Sequence, residues 1–215
     1  MSKIELHNED CMELMKRYTD NYFELAIVDP PYGLGKKIYS GGTKGCKFHT
    51  LFNENKWDDE IPKDEYFIEL FRVSKNQIIW GGNYFPLSPT RCLVIWDKMK
   101  GDNNFSMFEL AWTSFDKPSK IYRENSTSNN RIHPTQKPID LYKYLLDKYA
   151  KQGDKILDTH GGSMSIAIAC HDLGFDLTLS ELDKDYFEAG KKRLANHQSQ
   201  FSLFEPNELT IHHSK

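Results

Sequence analysis

The sequence predicts an α/β protein with a largely parallel sheet. Three observations lead there: seven short β-rich runs, helical patterns that separate several of them, and a globular composition that is 39% hydrophobic and 27% charged. A chain of 215 residues has the length of one domain and can bury a core without disulfides or a structural metal.

The β-rich runs are 3–7, 24–28, 77–80, 92–96, 109–115, 155–158 and 176–179. A helix is expected over 64–73, where Phe67, Ile68, Leu70 and Phe71 fall at helical spacing. A second, over 139–149, opens after Pro138, a residue favoured in first turns. The stretch 163–173 is small and apolar, as suits a helix packed on a sheet. A last helix over 183–196 directs Tyr186, Phe187, Ala189 and Leu194 inward, with Lys184, Lys191, Lys192 and Arg193 mostly outward.

A net charge of −3 argues against a protein that coats nucleic acid indiscriminately, but the cations are unevenly spread. Residues 33–53 hold five glycines, Lys36, Lys37, Lys44 and Lys47, and no acid. Residues 117–137 set Lys117, Lys120, Arg123, Arg131 and Lys137 against Glu124 alone. The plain reading of both is a solvated loop; the functional reading is contact with phosphates. Cys11, Cys46, Cys92 and Cys170 form no Cys-x-x-Cys pair, which fits packed thiols in a reducing cytosol. With no run of eighteen apolar residues and no apolar leader at the start, a cytoplasmic protein with no membrane segment is expected.

Three segments carry chemistry. Ala26-Ile27-Val28 leads into Asp29-Pro30-Pro31-Tyr32, so an apolar strand ends in an acid, two prolines and an aromatic. Ligands of open α/β sheets bind beyond the carboxyl ends of strands. There the Asp29 carboxylate and the Pro30 carbonyl can each accept one hydrogen of a ring amino group, and Tyr32 offers a stacking face. An ordinary strand-ending turn is the alternative.

The second segment is Asp158-Thr159-His160-Gly161-Gly162-Ser163 after the strand 155–158, a strand–glycine turn–helix unit of nucleotide-binding form. Glu181 ends the next strand, where an acid suits ribose hydroxyls. The third is His133-Pro134-Thr135-Gln136-Lys137-Pro138, whose Thr135 and Lys137 before a helix suit a carboxylate. Neither His133 nor His49, His160, His171, His212 or His213 has partners at ligand spacing, so no metal site is expected.

Together the three segments resemble the DNA amino-methyltransferases, which use S-adenosylmethionine to modify N6 of adenine or N4 of cytosine. The order of the segments is similar to that of the permuted β-type enzymes common in phages, and the resemblance runs from about Lys3 to Phe204. It implies a Rossmann-like class I methyltransferase fold with a seven-stranded, mostly parallel sheet and helices on both faces. The catalytic segment would be Asp29, Pro30, Pro31 and Tyr32. The cofactor, leaving as S-adenosylhomocysteine, would be held by Asp10, Thr135, Lys137, Asp158, Gly161, Gly162, Ser163 and Glu181. The run 3–7 would supply the strand that the permutation leaves missing beside the one ending at Glu181. This chain departs from the family's usual Asp-Pro-Phe-x-Gly-Ser-Gly loop: Thr159 and His160 replace Pro-Phe, and Met164 stands at the last glycine.

The resemblance further implies a single domain over 1–199 followed by a tail at 200–215. Residues 33–60 would be a mobile DNA loop presenting Lys36, Lys37, Lys44 and Lys47. Residues 117–133 would be a short target-recognition segment presenting Lys120, Arg123 and Arg131. The target amine is buried in a duplex, so the base must be flipped out. An aspartate of ordinary pKa, about 3.9, cannot deprotonate a neutral arylamine, so Asp29 would orient it and take up charge as it develops. An acid at that position leans toward adenine; N4-cytosine, or a decayed relative that binds without transferring, are the alternatives. Asp97 and Lys98, ending another run, are further candidates for holding the base. Gln200-Phe201-Ser202-Leu203-Phe204 is similar to peptides that dock on the bacterial sliding clamp, the alternative being that its apolar residues fold back on the body. DNA is the expected partner, and the protein would act as a monomer or homodimer, with or without a restriction partner.

Overall fold

The computed structural model describes residues 2–34, 60–99, 106–125, 131–133 and 135–201. Lys36, Lys37, Lys44 and Lys47 lie outside the described residues, as does most of the clamp-like peptide.

In chain order the elements are β1 Ile4–His7, α1 Cys11–Met15, β2 Phe23–Val28, α2 Asp64–Val73 and β3 Ser74–Trp80. A 3-10 turn at Gly82–Tyr84 then leads to β4 Leu93–Asp97, β5 Phe108–Thr113 and β6 Lys120–Arg123. The second half supplies α3 Ile139–Tyr149, β7 Lys155–Asp158, α4 Ser165–Leu173, β8 Asp176–Ser180 and α5 Lys184–Phe201. The strands form one sheet in the order β1-β8-β7-β2-β3-β5-β4-β6. Among the described strands, β5 alone runs antiparallel to its neighbours, β3 and β4. The expected α/β fold is thus present, and β1 completes the edge beside β8 through Ile4↔Leu177 to His7↔Ser180.

Alternation along β2 explains the layering. Leu25 and Ile27 face one core with Trp80, Ile156 and Leu145; Ala26 and Val28 face the other with Leu14, Leu70 and Leu157, and Phe23, where the strand begins, departs from the alternation and joins that second core. Helices α3, α4 and α5 contribute to the first core, α1 and α2 to the second. A strand buried on both faces needs an apolar run, which 23–28 provides. Each fully buried Leu or Ile contributes about 1.5–3 kcal/mol.

Among the described residues the sheet has eight strands, one more than the seven expected. Lys120-Ile121-Tyr122-Arg123, read as part of a loop, pairs with β4 from Val94↔Lys120 to Asp97↔Arg123. It is an edge strand whose Ile121 is exposed, so no apolar run marks it, and its end lysine and arginine suit an edge that must not recruit another strand. On α2 the buried face is Tyr66, Phe67, Leu70 and Val73, while Ile68 is 64% and Phe71 39% exposed. The expected stripe was rotated because Tyr66 buries its ring and spends its hydroxyl on Thr159 at 2.7 Å. On α5, Arg193 turns inward rather than outward: its guanidinium donates to the Ser163 carbonyl at 2.7 Å and to Ser165 Oγ at 2.9 Å. Helix α5 also runs past 196, so Gln200 and Phe201 are its last residues. No helix among the described residues is long and apolar enough to cross a membrane.

Candidate active site

The middle of the sheet fixes where a ligand goes. Strands β2 and β7 lie side by side, through Leu25↔Ile156 and Ala26↔Leu157. From that pair the chain proceeds outward in both directions, to β3 on one side and β8 on the other. The loops after β2 and β7 therefore diverge and leave a crevice at the strands' carboxyl ends. A cavity of about 750 Å³ opens there, and Asp29 and Pro31 from the first loop share it with Gly161, Gly162 and Ser163 from the second. Asp10, Thr135, Lys137 and Glu181 line it as well.

The Asp29 corner is held from several sides. Tyr32 Oη donates to Asp29 Oδ1 at 2.6 Å, and the Lys137 ammonium donates to Oδ2. The Tyr32 ring stacks on Tyr84 with centroids 5.0 Å apart and planes at 16°. Gly81, at φ +69°, presses against that ring: a Cβ there would stand 2.2–2.7 Å from Tyr32 Cε1, Cδ1 and Cζ. Pro30, next to Asp29, is buried.

Lys137 reaches further. Its Nζ lies 3.1 Å from Glu109 Oε2 and 5.1 Å from the centre of the Trp80 ring, and Lys98 Nζ lies 2.6 Å from Glu109 Oε1. Burial disfavours the charged amine of Lys137, but the Asp29 and Glu109 carboxylates outweigh it and raise its pKa above the ordinary lysine value. Burial likewise opposes ionisation of Glu109, and Lys137 and Lys98 more than reverse it, leaving its pKa below the usual glutamate value. Glu109 lay outside the sequence's candidates. Its signal was weak, an acid opening an otherwise apolar strand.

The second loop is built from backbone. Gly161 N donates to the Ser180 carbonyl at 2.9 Å, tying the turn to β8. A Cβ on Gly161 would meet Leu179 Cδ2 at 2.4 Å, so glycine is required by close approach. Glu181 accepts from Gly162 N at 2.7 Å through one oxygen and from Asp183 N at 2.8 Å through the other. Burial raises its pKa, against those amides. Asp158 lies beneath the loop, 2% exposed, accepting from His160 N at 3.0 Å, and burial pushes its pKa up to about 8. Asp10 caps α1 by accepting from Met12 N at 2.7 Å.

The residues that depart from the usual loop are accommodated. Thr159 Oγ1 shares hydrogen bonds with Tyr66 Oη at 2.7 Å and His160 Nδ1 at 2.9 Å. Burial holds the His160 ring neutral, with its pKa lowered to about 4. Met164 keeps the left-handed turn that a glycine would make, at φ +55°. Its side chain is fully buried, and Gly190 makes room for it: a Cβ there would stand 2.7 Å from Met164 Cγ. His133 lies over Gly162 and meets the Tyr186 ring at 4.4 Å, and burial drives its pKa down to about 3.

Other candidates lie apart from the cavity. Lys120 and Arg123 stand on the edge strand β6, and neither they nor Arg131 line the cavity. Asp97 is engaged by Arg123 at 3.3 Å and Lys98 by Glu109, and neither reaches the cavity wall. Among the described residues no group of three or more His, Cys, Asp or Glu could hold a metal ion.

Residues 79–192 match the family model described as DNA methylase. Over 246 residues the chain is 22% identical to the type II methyltransferase M.HpaI of Haemophilus parainfluenzae, an overlap of 91% of this chain and 74% of that one. It is 20% identical over 244 residues to the type II methyltransferase M2.MboI of Moraxella bovis, covering 88% of this chain and 87% of that one. Among solved structures, the complex of M1.HpyAVI with SAM is similar at a TM-score of 0.58 and 18% identity, covering 88% of this chain and 99% of the other. The cytosine-N4-specific PvuII DNA methyltransferase is similar at a TM-score of 0.61 and 11% identity, covering 93% of each chain.

Proposed function

This chain belongs to the DNA methylase family, and on that premise we propose that it transfers a methyl group from S-adenosylmethionine to N6 of an adenine flipped out of DNA. One observation carries the reading: Asp29, pinned by Tyr32 and Lys137, shares a cavity with the glycine turn and Glu181.

The cavity residues fit the cofactor. At about 750 Å³ the space is of the size that holds a drug-sized ligand. Glu181, with both oxygens anchored on amides, and Asp10, at the head of α1, offer acceptors to ribose hydroxyls or an adenine amine. Gly161 and Gly162 let backbone approach the ligand, and Thr135 offers a hydroxyl to its carboxylate. When bound, S-adenosylmethionine supplies an electrophilic methyl group on a sulfonium. M1.HpyAVI, which shares this fold, has been solved as its SAM complex.

The chain's own residues do the rest. An exocyclic ring nitrogen is a weak nucleophile because its lone pair is delocalised. Asp29 accepts one of its hydrogens and the Pro30 carbonyl the other, which favours a pyramidal nitrogen with its lone pair turned outward. An ionised carboxylate has about four acceptor positions, so Asp29 can serve the base while keeping Tyr32 and Lys137. As positive charge develops on the nitrogen, the fixed carboxylate stabilises it and then receives the shed proton. The expected stacking face of Tyr32 is taken up by Tyr84 and lies off the cavity wall, so its part in this reading is to hold Asp29 through its hydroxyl. Lys120, Arg123 and Arg131, with Lys36, Lys37, Lys44 and Lys47, are assigned to phosphates, and affinity for DNA should fall with salt.

Asp29→Ala tests the reading. Turnover on DNA should fall at least about 100-fold, with affinity for S-adenosylmethionine close to the parent's; methylation at the parent rate would refute it. The PvuII enzyme has the same fold and is cytosine-N4-specific, so the fold does not choose the base. Mass spectrometry of the product does: N6-methyladenine supports this reading, and N4-methylcytosine replaces it.

A further inference from the structure

Three stretches distant in sequence meet at the cavity: Asp29 after β2 and Lys137 before α3 on its wall, and Glu109 on β5 off it. They close into a row of alternating charge that ends at Lys98. The Lys137 side chain is 1% exposed, so its charge is compensated by the two carboxylates and the face of Trp80. Buried ion pairs contribute little net stability over an apolar replacement, so stability alone does not account for the row.

The geometry gives Glu109 a task. A lysine is a point charge on a flexible stem and on its own would not fix the orientation of Asp29. Glu109 holds the ammonium from the far side, and is itself held by Lys98 and by the Trp96↔Glu109 pairing of β4 with β5. It is absent from the cavity wall, so it need touch neither base nor cofactor. We propose that Glu109 is a positioning residue: through Lys137 it fixes the Asp29 carboxylate, leaving that group's remaining acceptor positions aimed into the cavity. This rests on the reading of Asp29 as the group that grips the amine.

Glu109→Gln in the full chain tests it. The kcat for DNA methylation should fall about tenfold or more, with KM for DNA and Kd for S-adenosylmethionine unchanged, and Glu109→Asp should recover part of the loss. The second readout is the Lys137 amine, followed by NMR on ¹³Cε-labelled lysine and assigned with Lys137→Arg. Asp29, Glu109 and Asp158 act on it, with His133, Tyr32 and Tyr142 around the same corner and Lys98 and Arg131 acting on Glu109. Removing one of its two carboxylates should make it titrate at lower pH, and the alkaline limb of kcat should follow. A parental kcat, equal losses in kcat and binding, or an unmoved Lys137 titration would each overturn the proposal. If Glu109→Gln melts below assay temperature, Glu109→Gln with Lys98→Gln removes one charge of each sign and is read the same way. A parent chain that transfers no methyl would sink the function reading instead, while the lysine titration still decides whether Glu109 holds Lys137.

Discussion

Gly81→Ala is the sharpest mechanical test of the Asp29 corner. Gly81 adopts φ +69°, where an alanine costs about 1–2 kcal/mol. The new Cβ would stand 2.2 Å from Tyr32 Cε1, so the ring must retreat by about 1.2–1.8 Å to recover ordinary contact. Tyr32 is not free to do so, since its ring is stacked on Tyr84 and its hydroxyl is 2.6 Å from Asp29. A shift of that size carries the hydroxyl toward or past the limit of hydrogen bonding. Overpacking adds a cost comparable to the backbone strain, so the total should be about 2–4 kcal/mol. Urea unfolding at fixed pH measures that loss, and a parallel assay should show kcat lowered with S-adenosylmethionine affinity retained. A Gly81→Ala variant with parental stability and turnover would mean that Tyr32 is not locked to Asp29.

Two further predictions concern the glycine turn after β7 and the acid beneath it. Met164→Gly restores the glycine usual in such loops and relieves about 1–2 kcal/mol of left-handed strain. It also empties the fully buried space against Gly190, at about 2–5 kcal/mol, so the variant should be less stable in thermal melts; a gain would refute this packing. Asp158 is raised to about 8, so between its unfolded value near about 4 and that point the folded chain holds a proton that the unfolded chain has lost. Stability should therefore fall with rising pH across that window relative to Asp158→Asn, then run parallel above it; parallel curves throughout would contradict the buried, protonated acid.

Much of this was legible in the sequence because local physics is strong there. Helices 64–73 and 139–149 and strand 155–158 end where their periodicity and flanking residues say they end. Asp29, Pro31, Gly161, Gly162, Ser163 and Glu181 sit around one cavity because βα units deliver strand ends to one edge of the sheet. What escaped is what depends on partners far along the chain. Helix α1 is five residues long, too short to show a period, and is announced only by the Asp10 cap. Strand β6 is half solvated and exists because β4 lies beside it. Glu109 reaches Lys137 because the antiparallel register sets Ala111 opposite Trp80, carrying the start of β5 past the end of β3 toward the site. Nothing near Glu109 in sequence encodes that. Tyr66 was passed over for Ile68 because periodicity alone could not tell which neighbouring residue had a polar partner waiting in Thr159.

The account rests on Asp29 and the methyl donor sharing one cavity, and a crystal structure with S-adenosylmethionine bound measures this directly. Its methyl carbon should face Asp29 across a gap wide enough for one ring nitrogen, with Glu181 and the Gly161–Gly162 turn around the nucleoside. A donor seated elsewhere, or turned so that its methyl points away from Asp29, would contradict it.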